Sequence, residues 1–516
     1  MACRNGVMFA VLIALILLVA VSPTLGQDTA GKVVGVVMDP QGAVVPKAMV
    51  SVKNVATGIT NTAITDAGGQ YQVLNLAIGN YSVTVEKEGF RKTVTKAYPL
   101  EINQSVRVDV TLTVGAASQT VEVNAAATQV ETYNSTLGAS VTSRELVDMP
   151  LNGRDILDLA RLEPGVTDQN EENGAAGSFS IGGGRTDSVT YLLDGGLNND
   201  LLDNSVVFDP NPDTVAEFRI LESNYTAEYG RNGGGIISIV TKSGANDYHG
   251  TAFDFARNGA FDANRFFNKR EIDPVTNQVV PRDTLKRHQF GATLGGPVGI
   301  PGVWLAKNKA FFFVGYQGQR KIETERPSPD VIDTFTPAEI TGDFSQSANA
   351  GTVAAFLGAN PYFQADPAKA AQGIIDPNSI DQASKKVIAA GLIPVSATGV
   401  LTPSAPAKDN RVELTGKVDY NFSQSDRLSV TLGWNKLTQT DPFAGGATVP
   451  FPIEYLDKYE FLNVAYTKNF STRLLNEFRV TAQRSNILQD KPSSSFPVRP
   501  HWGSAPFPIR RPGRPF

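Results

Sequence analysis

Val412-Glu413-Leu414-Thr415-Gly416-Lys417-Val418-Asp419-Tyr420-Asn421-Phe422 is the stretch on which the reading of the fold turns. Val412, Leu414, Val418, Tyr420 and Phe422 fall on one face of a period-two strand. Glu413, Thr415, Lys417, Asp419 and Asn421 fall on the other, as a lipid face and a wet lumen require. After the short turn Ser423 to Asp426, the residues Leu428, Val430, Leu432 and Trp434 repeat the scheme. Further strands of about ten residues are expected from Tyr248, from His288 through Phe290, Ala292 and Leu294, from Ala310, from Phe461, and from Leu475 with Phe478 and Val480. Long connections (Asn258 to Lys286, Arg320 to Asn410, Lys436 to Lys458) alternate with short ones, as outer loops and periplasmic turns do. Tyr420, Phe422, Trp434 and Tyr466 suit interfacial girdles. A soluble β-sandwich also alternates, but the loop lengths favour an antiparallel transmembrane β-barrel over 246–490, and about seven strands leave it incomplete.

The composition agrees with this. A chain of 516 residues with net charge −5 carries no basic or acidic field that invites nucleic acid, and its length implies several domains. Residues 1–26 contain Arg4, an apolar run from Val7 to Val21 and small residues up to Gly26, which predicts a secretory signal peptide rather than a spanning helix. The only cysteine, Cys3, lies in that segment, so disulfides, zinc-thiolate sites and cysteine nucleophiles are not expected in the exported part.

Residues 28–115 alternate strongly: Val50 with Val52, then Tyr81, Val83 and Val85, then Val106, Val108, Val110 and Leu112. Turn signals at Asp39-Pro40-Gln41-Gly42, Asp66-Ala67-Gly68-Gly69 and Ile78-Gly79-Asn80 divide them into about seven short strands, a β-sandwich pattern. Thr65-Asp66-Ala67-Gly68-Gly69-Gln70-Tyr71 and Gly79-Asn80-Tyr81-Ser82-Val83 resemble the carboxypeptidase regulatory-like domain. No histidine lies in this segment, since His249, His288 and His501 are the chain's three, so no zinc hydrolase site is expected here.

From Ala116 to Ala125 the texture changes to small and β-branched residues without a clear partner strand. Leu146 to Val166 then carries Pro150-Leu151-Asn152-Gly153-Arg154 and a pattern of Ile156, Leu157, Leu159 and Leu162 that predicts a short helix stopped by Pro164. Phe179 to Arg185, Val189 to Gly196, Val215 to Ile220 and Gly233 to Gly244 read as strands and glycine turns. This ordered series resembles the plug of TonB-dependent outer-membrane receptors, in particular the Oar-like branch, with its Pro-Leu-Asn-Gly-Arg element, Asp-Gly turn and closing Val-Thr-Lys-Ser-Gly. The whole chain is thus expected to be mainly β: a β-sandwich, an α+β plug over 116–245, an incomplete barrel, and a Pro- and Arg-rich tail over 491–516 that reads as disordered. Ile181-Gly182-Gly183-Gly184-Arg185 lacks the context of a phosphate loop, and the acidic run Asp194 to Asp203 lacks calcium-loop spacing.

The resemblance implies a receptor and transporter in the outer membrane with its N-terminal domain in the periplasm. The plug would close the pore, and a periplasmic energy-coupling protein of the TonB type would pull on a short segment, here Thr120, Val121, Glu122 and Val123. Those four residues read equally as an ordinary linker strand. Arg185, Asp187 and Asp194 are the candidate ligand contacts near the plug apex, together with the outer loops. The implied partners are outer-membrane lipid and an extracellular solute, peptide, glycan or exported protein, with no cofactor and no metal. An adhesion or structural surface protein is the alternative, and an enzyme is not expected, because no catalytic constellation stands out. Such receptors close with about 22 strands, so the chain is expected to be the front part of a longer or frame-disrupted receptor.

Overall fold

The computed structural model describes residues 30–490 apart from 116–119, 124–137, 169–178, 223, 226–228, 265, 267–268, 271, 273–277, 280–281, 283, 326–331, 392, 402–403, 444–451 and 472–473. The expected signal peptide at 1–26 and tail at 491–516 lie outside the described residues.

The sandwich is built by β1 (Gly31–Met38), β2 (Met49–Asn54), β3 (Thr60–Ile64), β4 (Gln70–Leu76), β5 (Gly79–Glu86), β6 (Lys92–Thr95), β7 (Tyr98–Leu100), β8 (Ser105–Arg107) and β9 (Val110–Thr111). One sheet runs β4-β1-β8 with β9 also on β1, and the other contains β6-β5-β2-β3 with β7 on β5. Alternate residues of each strand close a core that includes Val33, Val50, Val83, Leu100 and Leu112. The turn signals act as their chemistry predicts. The Asp39 carboxylate accepts the N–H groups of Gln41 and Ala43, and that of Asp66 accepts those of Gly68 and Gln70.

A further strand, β10 (Thr120–Val123), corrects the expectation that this segment lacks a partner. It pairs in parallel with β6, Val121 opposite Thr93 and Glu122 opposite Val94. The second sandwich sheet therefore ends on the chain's own connecting segment.

The plug comprises β11 (Gly138–Thr142), the helix α1 (Ser143–Asp148), β12 (Val166–Asp168), β13 (Phe179–Ile181), β14 (Thr190–Leu193), β15 (Gly196–Leu197), β16 (Val215–Leu221) and β17 (Ile236–Thr241). Its sheet has the order β11-β16-β17-β14-β15. The expected helix before Pro164 is a 3-10 helix over Ile156–Leu162. Asp155 caps it through the Leu157 N–H. Its tighter pitch buries Ile156, Leu157, Leu159 and Ala160 while leaving Leu162 outside.

Seven strands form the wall: β18 (His249–Asn258), β19 (Leu285–Pro297), then past the short hairpin β20 (Gly299–Ile300) and β21 (Trp304–Leu305), β22 (Ala310–Glu325). After the small pair β23 (Ile332–Asp333) and β24 (Val400–Leu401) come β25 (Ala405–Asn421), β26 (Asp426–Asp441), β27 (Ile453–Ser471) and β28 (Leu474–Asp490). Every neighbour in the sheet β18-β19-β22-β25-β26-β27-β28 is antiparallel. From β22 onward the strands run 16 to 19 residues rather than about ten. They extend past the lipid-facing residues that the alternation picks out, and the connection between β22 and β25 shortens accordingly. That connection is folded, carrying α2 (Ala350–Ala359), α3 (Pro367–Ala371) and α4 (Gln382–Ala389).

The expected wet lumen is corrected as well. On β25, Glu413, Thr415, Lys417 and Asp419 are only 8, 0, 5 and 4% exposed, while Leu414 and Val418 on the other face are 45 and 47% exposed. The alternation assigns the faces, but the inner face meets the plug rather than water. Phe461 of β27 joins the plug core beside Phe208 and Phe218, a burial that stabilises by about 2 to 3 kcal/mol.

Candidate functional site: the seam between plug and barrel wall

The hairpin between β14 and β15 turns on Asp194 and Gly195, with φ of 47° and 73°, the left-handed pair that a tight two-residue turn demands. Gly195 suits this turn because φ of 73° is a backbone conformation that residues with a Cβ rarely adopt, and a Cβ there would also push the Arg479 guanidinium aside. The turn delivers the Asp194 carboxylate to the wall. Lys417 Nζ donates to Asp194 Oδ1 at 2.9 Å, and Thr431 Oγ1 to Oδ2 at 2.7 Å. From within the plug, the Thr241 N–H donates to Oδ1 at 3.0 Å and its hydroxyl to Oδ2 at 2.6 Å. Asn463 Nδ2 donates to the Asp194 carbonyl at 2.9 Å. Three successive wall strands thus grip one turn.

The Pro-Leu-Asn-Gly-Arg element makes a second fastening. Gly153 and Arg154 have φ of 97° and 58°. Asn152 Oδ1 accepts from Arg257 at 3.0 Å and from Arg287 at 2.9 Å, and Gln289 donates to the Gly153 carbonyl at 2.6 Å. Arg154, buried, pairs with Asp213 and lies 4.7 and 4.2 Å from the ring centroids of Phe253 and Phe255. Nearby, Glu413 accepts from the Asn211 N–H at 2.8 Å and from its side-chain amide at 2.7 Å. Burial, together with the adjacent charges of Asp155 and Glu413, holds the Asp209 carboxyl well above the usual carboxylate range.

A third contact joins sandwich and plug. The Ile102 N–H donates to both oxygens of Glu217, at 3.0 and 2.9 Å, while Arg219 donates to the Ile102 carbonyl. Ser140 on β11 donates to Glu217 at 2.8 Å. Burial pushes the Glu217 carboxyl up to about 7, against the lowering effect of these hydrogen bonds. Between sandwich, plug and wall lies a cavity of about 560 Å³, whose lining includes Asp194, Lys417, Arg427 and Arg479.

The expected site residues separate. Arg185 and Asp187 form an exposed ion pair at 3.2 Å on a surface turn. Asn204 holds the Asp187 carbonyl at 2.7 Å, and Asp200 accepts from Ser485 toward the long-loop end of β28 at 3.1 Å. Asp194, expected beside them as a ligand contact, is corrected to a buried seam residue, 7% exposed, whose carboxylate is occupied by donors from plug and wall. Asp200 and Asp203 cap their own turn through the N–H groups of Leu202 and Ser205.

Three family models match the chain: the outer membrane beta barrel domain at residues 240–506, the TonB-dependent receptor plug domain at 131–236, and the carboxypeptidase regulatory-like domain at 32–113. The TonB-dependent transporter Oar of Myxococcus xanthus is 30% identical over 304 residues, which are 57% of this chain and 28% of that relative. Among solved structures, the outer membrane transporter YddB from Escherichia coli and the siderophore receptor PirA from Pseudomonas aeruginosa are each 13% identical. Their TM-scores are 0.42 and 0.36, over 68% of this chain and 39 and 41% of theirs.

Proposed function

We propose a function for this chain from one premise: it belongs to the outer membrane beta barrel family, in its TonB-dependent, plug-bearing, Oar-like form. Its place is the outer membrane, with the sandwich in the periplasm and the plug against the inner face of the wall. On that basis the chain acts in a gated importer. An outside solute is bound at the long-loop end, and the plug is moved to let it pass.

The observation that carries this reading is the polar character of the seam. A stopper held by apolar packing would be costly to move, because each displaced side chain would meet water. One held mainly by Asp194, Asn152 and Asn211, beside the apolar contact at Phe461, exchanges its hydrogen bonds for water at a net cost of only about 1 to 3 kcal/mol each. The pull would enter at Thr120–Val123, the candidate contact for a TonB-type periplasmic protein, by strand pairing. Along the chain, the next strand after it among the described residues is β11, an edge strand of the plug sheet paired with β16 from Gly138 to Leu221. Tension on β11 reaches Glu217 and Arg219, and through them the sandwich contact at Ile102.

Arg185 and Asp187 are the proposed plug-side ligand contacts. On the outer side, the folded insertion between β22 and β25 presents Phe356 and Tyr362, each in ring contact with Phe363, with Tyr362 80% exposed. Aromatic faces of this kind suit a peptide or glycan more than a small ion. The test is deletion of residues 120–123 in the full chain, followed by cell-surface binding and uptake of a labelled peptide and glycan library. Lost uptake with retained binding is the expected outcome. Unchanged behaviour in both would favour an adhesin, for which the segment is irrelevant.

A further inference from the structure

Two guanidiniums of the wall share one neutral acceptor. Arg257 on β18 and Arg287 on β19 stand directly opposite each other at the long-loop end, and Lys321 on β22 stands opposite Arg287. All three belong to the inner face, with the plug-facing Phe255, Gln289 and Gln319 of their strands. Like charges side by side on neighbouring strands destabilise a sheet unless an anion lies among them. Arg257 is paired with Asp262 at 3.2 Å, and Lys321 with Glu323. Arg287 has no carboxylate partner among the described residues. Its contact is the plug's Asn152, whose Oδ1 accepts from Arg287 at 2.9 Å and from Arg257 at 3.0 Å.

Other cations of the seam are provided for differently. Arg154 and Lys417 are buried against the plug carboxylates Asp213 and Asp194, and Arg411 is held by Asp409 at 3.0 Å. Only at Asn152 does an uncharged amide occupy the meeting point of two guanidiniums. A carboxylate has the same planar shape as that amide, with a second acceptor oxygen where the amide carries its nitrogen. In that place it would add the attraction of a full negative charge to hydrogen bonds whose donors are already cationic. The site is also open. Asn152 is exposed, so its amide can turn to water, and the Arg257 side chain is 45% exposed. At or beyond this row, Glu323, Glu325, Asp409 and Asp441 share the inner face. They repel a chain of many negative charges, but a single carboxylate at the end of a peptide meets the arginines alone.

We propose that Arg257 and Arg287 are the contact for the terminal carboxylate of a peptide, which takes the place of the Asn152 amide. Binding there removes both wall contacts of Asn152 and leaves its loop held by Gln289 on the Gly153 carbonyl and by Arg154 on Asp213. Occupancy on the outer side thereby loosens the plug before any pull arrives from the periplasm. The inference rests on the importer reading given above and goes beyond it in naming the charge of the solute and the contact it displaces.

The test uses the full chain in detergent at constant ionic strength, with saturation-transfer NMR of N-acetyl-Phe-Gly as the free acid and as the C-terminal amide. The acid should bind, the amide at least about tenfold more weakly, and R257Q/R287Q should lose the preference. Two changes at Asn152 separate competition from a merely structural role. N152A removes the competing acceptor and should tighten acid binding about threefold, whereas N152D supplies a tethered carboxylate and should weaken it at least about tenfold. Absence of acid binding, or equal binding of acid and amide, would overturn the proposal in the unmodified chain without needing any variant to fold. Binding by N152D equal to that of the parent would overturn the displacement, and tighter binding of trigalacturonate than of the peptide acid would overturn the peptide. Preference for the acid together with uptake that survives deletion of residues 120–123 would keep the site and remove the importer reading instead.

Discussion

Lys417 and Asp194 lie 223 positions apart in sequence and meet at 2.9 Å, one in the last third of a wall strand and the other at the tip of a plug turn. Both are almost fully buried. The pair is an ionic contact across the seam with little exposure on either side, so removing one partner leaves the other a largely desolvated, unpaired charge.

Asp194→Ala should therefore destabilise plug docking by about 3 to 5 kcal/mol, and Lys417→Met alone by a comparable amount. The double replacement D194A/K417M should cost clearly less than the sum of the two single losses, because no unpaired charge remains, while the Thr241 and Thr431 donors still lose their acceptor. Chemical denaturation of the four proteins in detergent, read as a double-mutant cycle, checks this. Additive losses would show that the two side chains do not interact.

Arg154→Lys keeps the charge but loses the planar group that faces Phe253 and Phe255 and the fork aimed at Asp213. A loss of about 1 to 2 kcal/mol is expected, with faster protease cutting in the plug while the wall stays intact. Equal protease resistance of variant and parent would show that the Pro-Leu-Asn-Gly-Arg element does not fasten the plug.

Glu217 supplies a pH dependence with a definite sign. Its carboxyl is raised from 4.5 to about 7 in the docked state, so docking takes up a proton that a solvated carboxylate gives up. The sandwich–plug contact is then strongest below pH 4.5 and weakens as pH rises through about 7, by on the order of 3 kcal/mol in all. Hydrogen exchange of the Ile102 amide, corrected for its intrinsic pH dependence, should accelerate between about pH 5 and about pH 8. In E217Q that acceleration should vanish. Acceleration persisting in the variant would assign the effect to another group.

The pairing of β10 with β6 can be trapped. With Cys3 the chain's only cysteine, V121C/T93C places two thiols at directly opposed register positions, within disulfide reach. Oxidation should give one intramolecular cross-link in the full chain, whereas V121C paired with a cysteine at Ser51, on β2, should give none. Equal cross-linking of both pairs would indicate a segment that samples the sheet without register.

Much of this architecture was legible in the sequence. The alternation from Val412 to Phe422 identifies the strand and both of its faces, and the order of glycine turns through Gly195 identifies the plug. Period two assigns Glu413, Lys417 and Asp419 to an inner face but cannot say what lies opposite, because Asn211 and Asp194 arrive there only through tertiary packing. Asp194 was misplaced for the same reason. A turn aspartate beside glycine looks solvent-exposed in sequence, and the threonines and lysine that enclose it come from distant strands. Thr120–Val123 showed strand character but no partner, since β6 is a short edge whose free side is invisible to local pattern. The helices between β22 and β25 were hidden by the Pro, Gly and Ala content of that connection, which lacks a sustained helical stripe.

The central claim is that the plug leaves the wall when force is applied through Thr120–Val123. The direct test is thiol labelling of Thr415→Cys, a position with no exposure beneath the plug, in energised cells that contain the coupling protein. The account predicts maleimide labelling in the otherwise intact chain and none after deletion of residues 120–123 or collapse of the proton gradient. Labelling of equal rate in all three cases would contradict it.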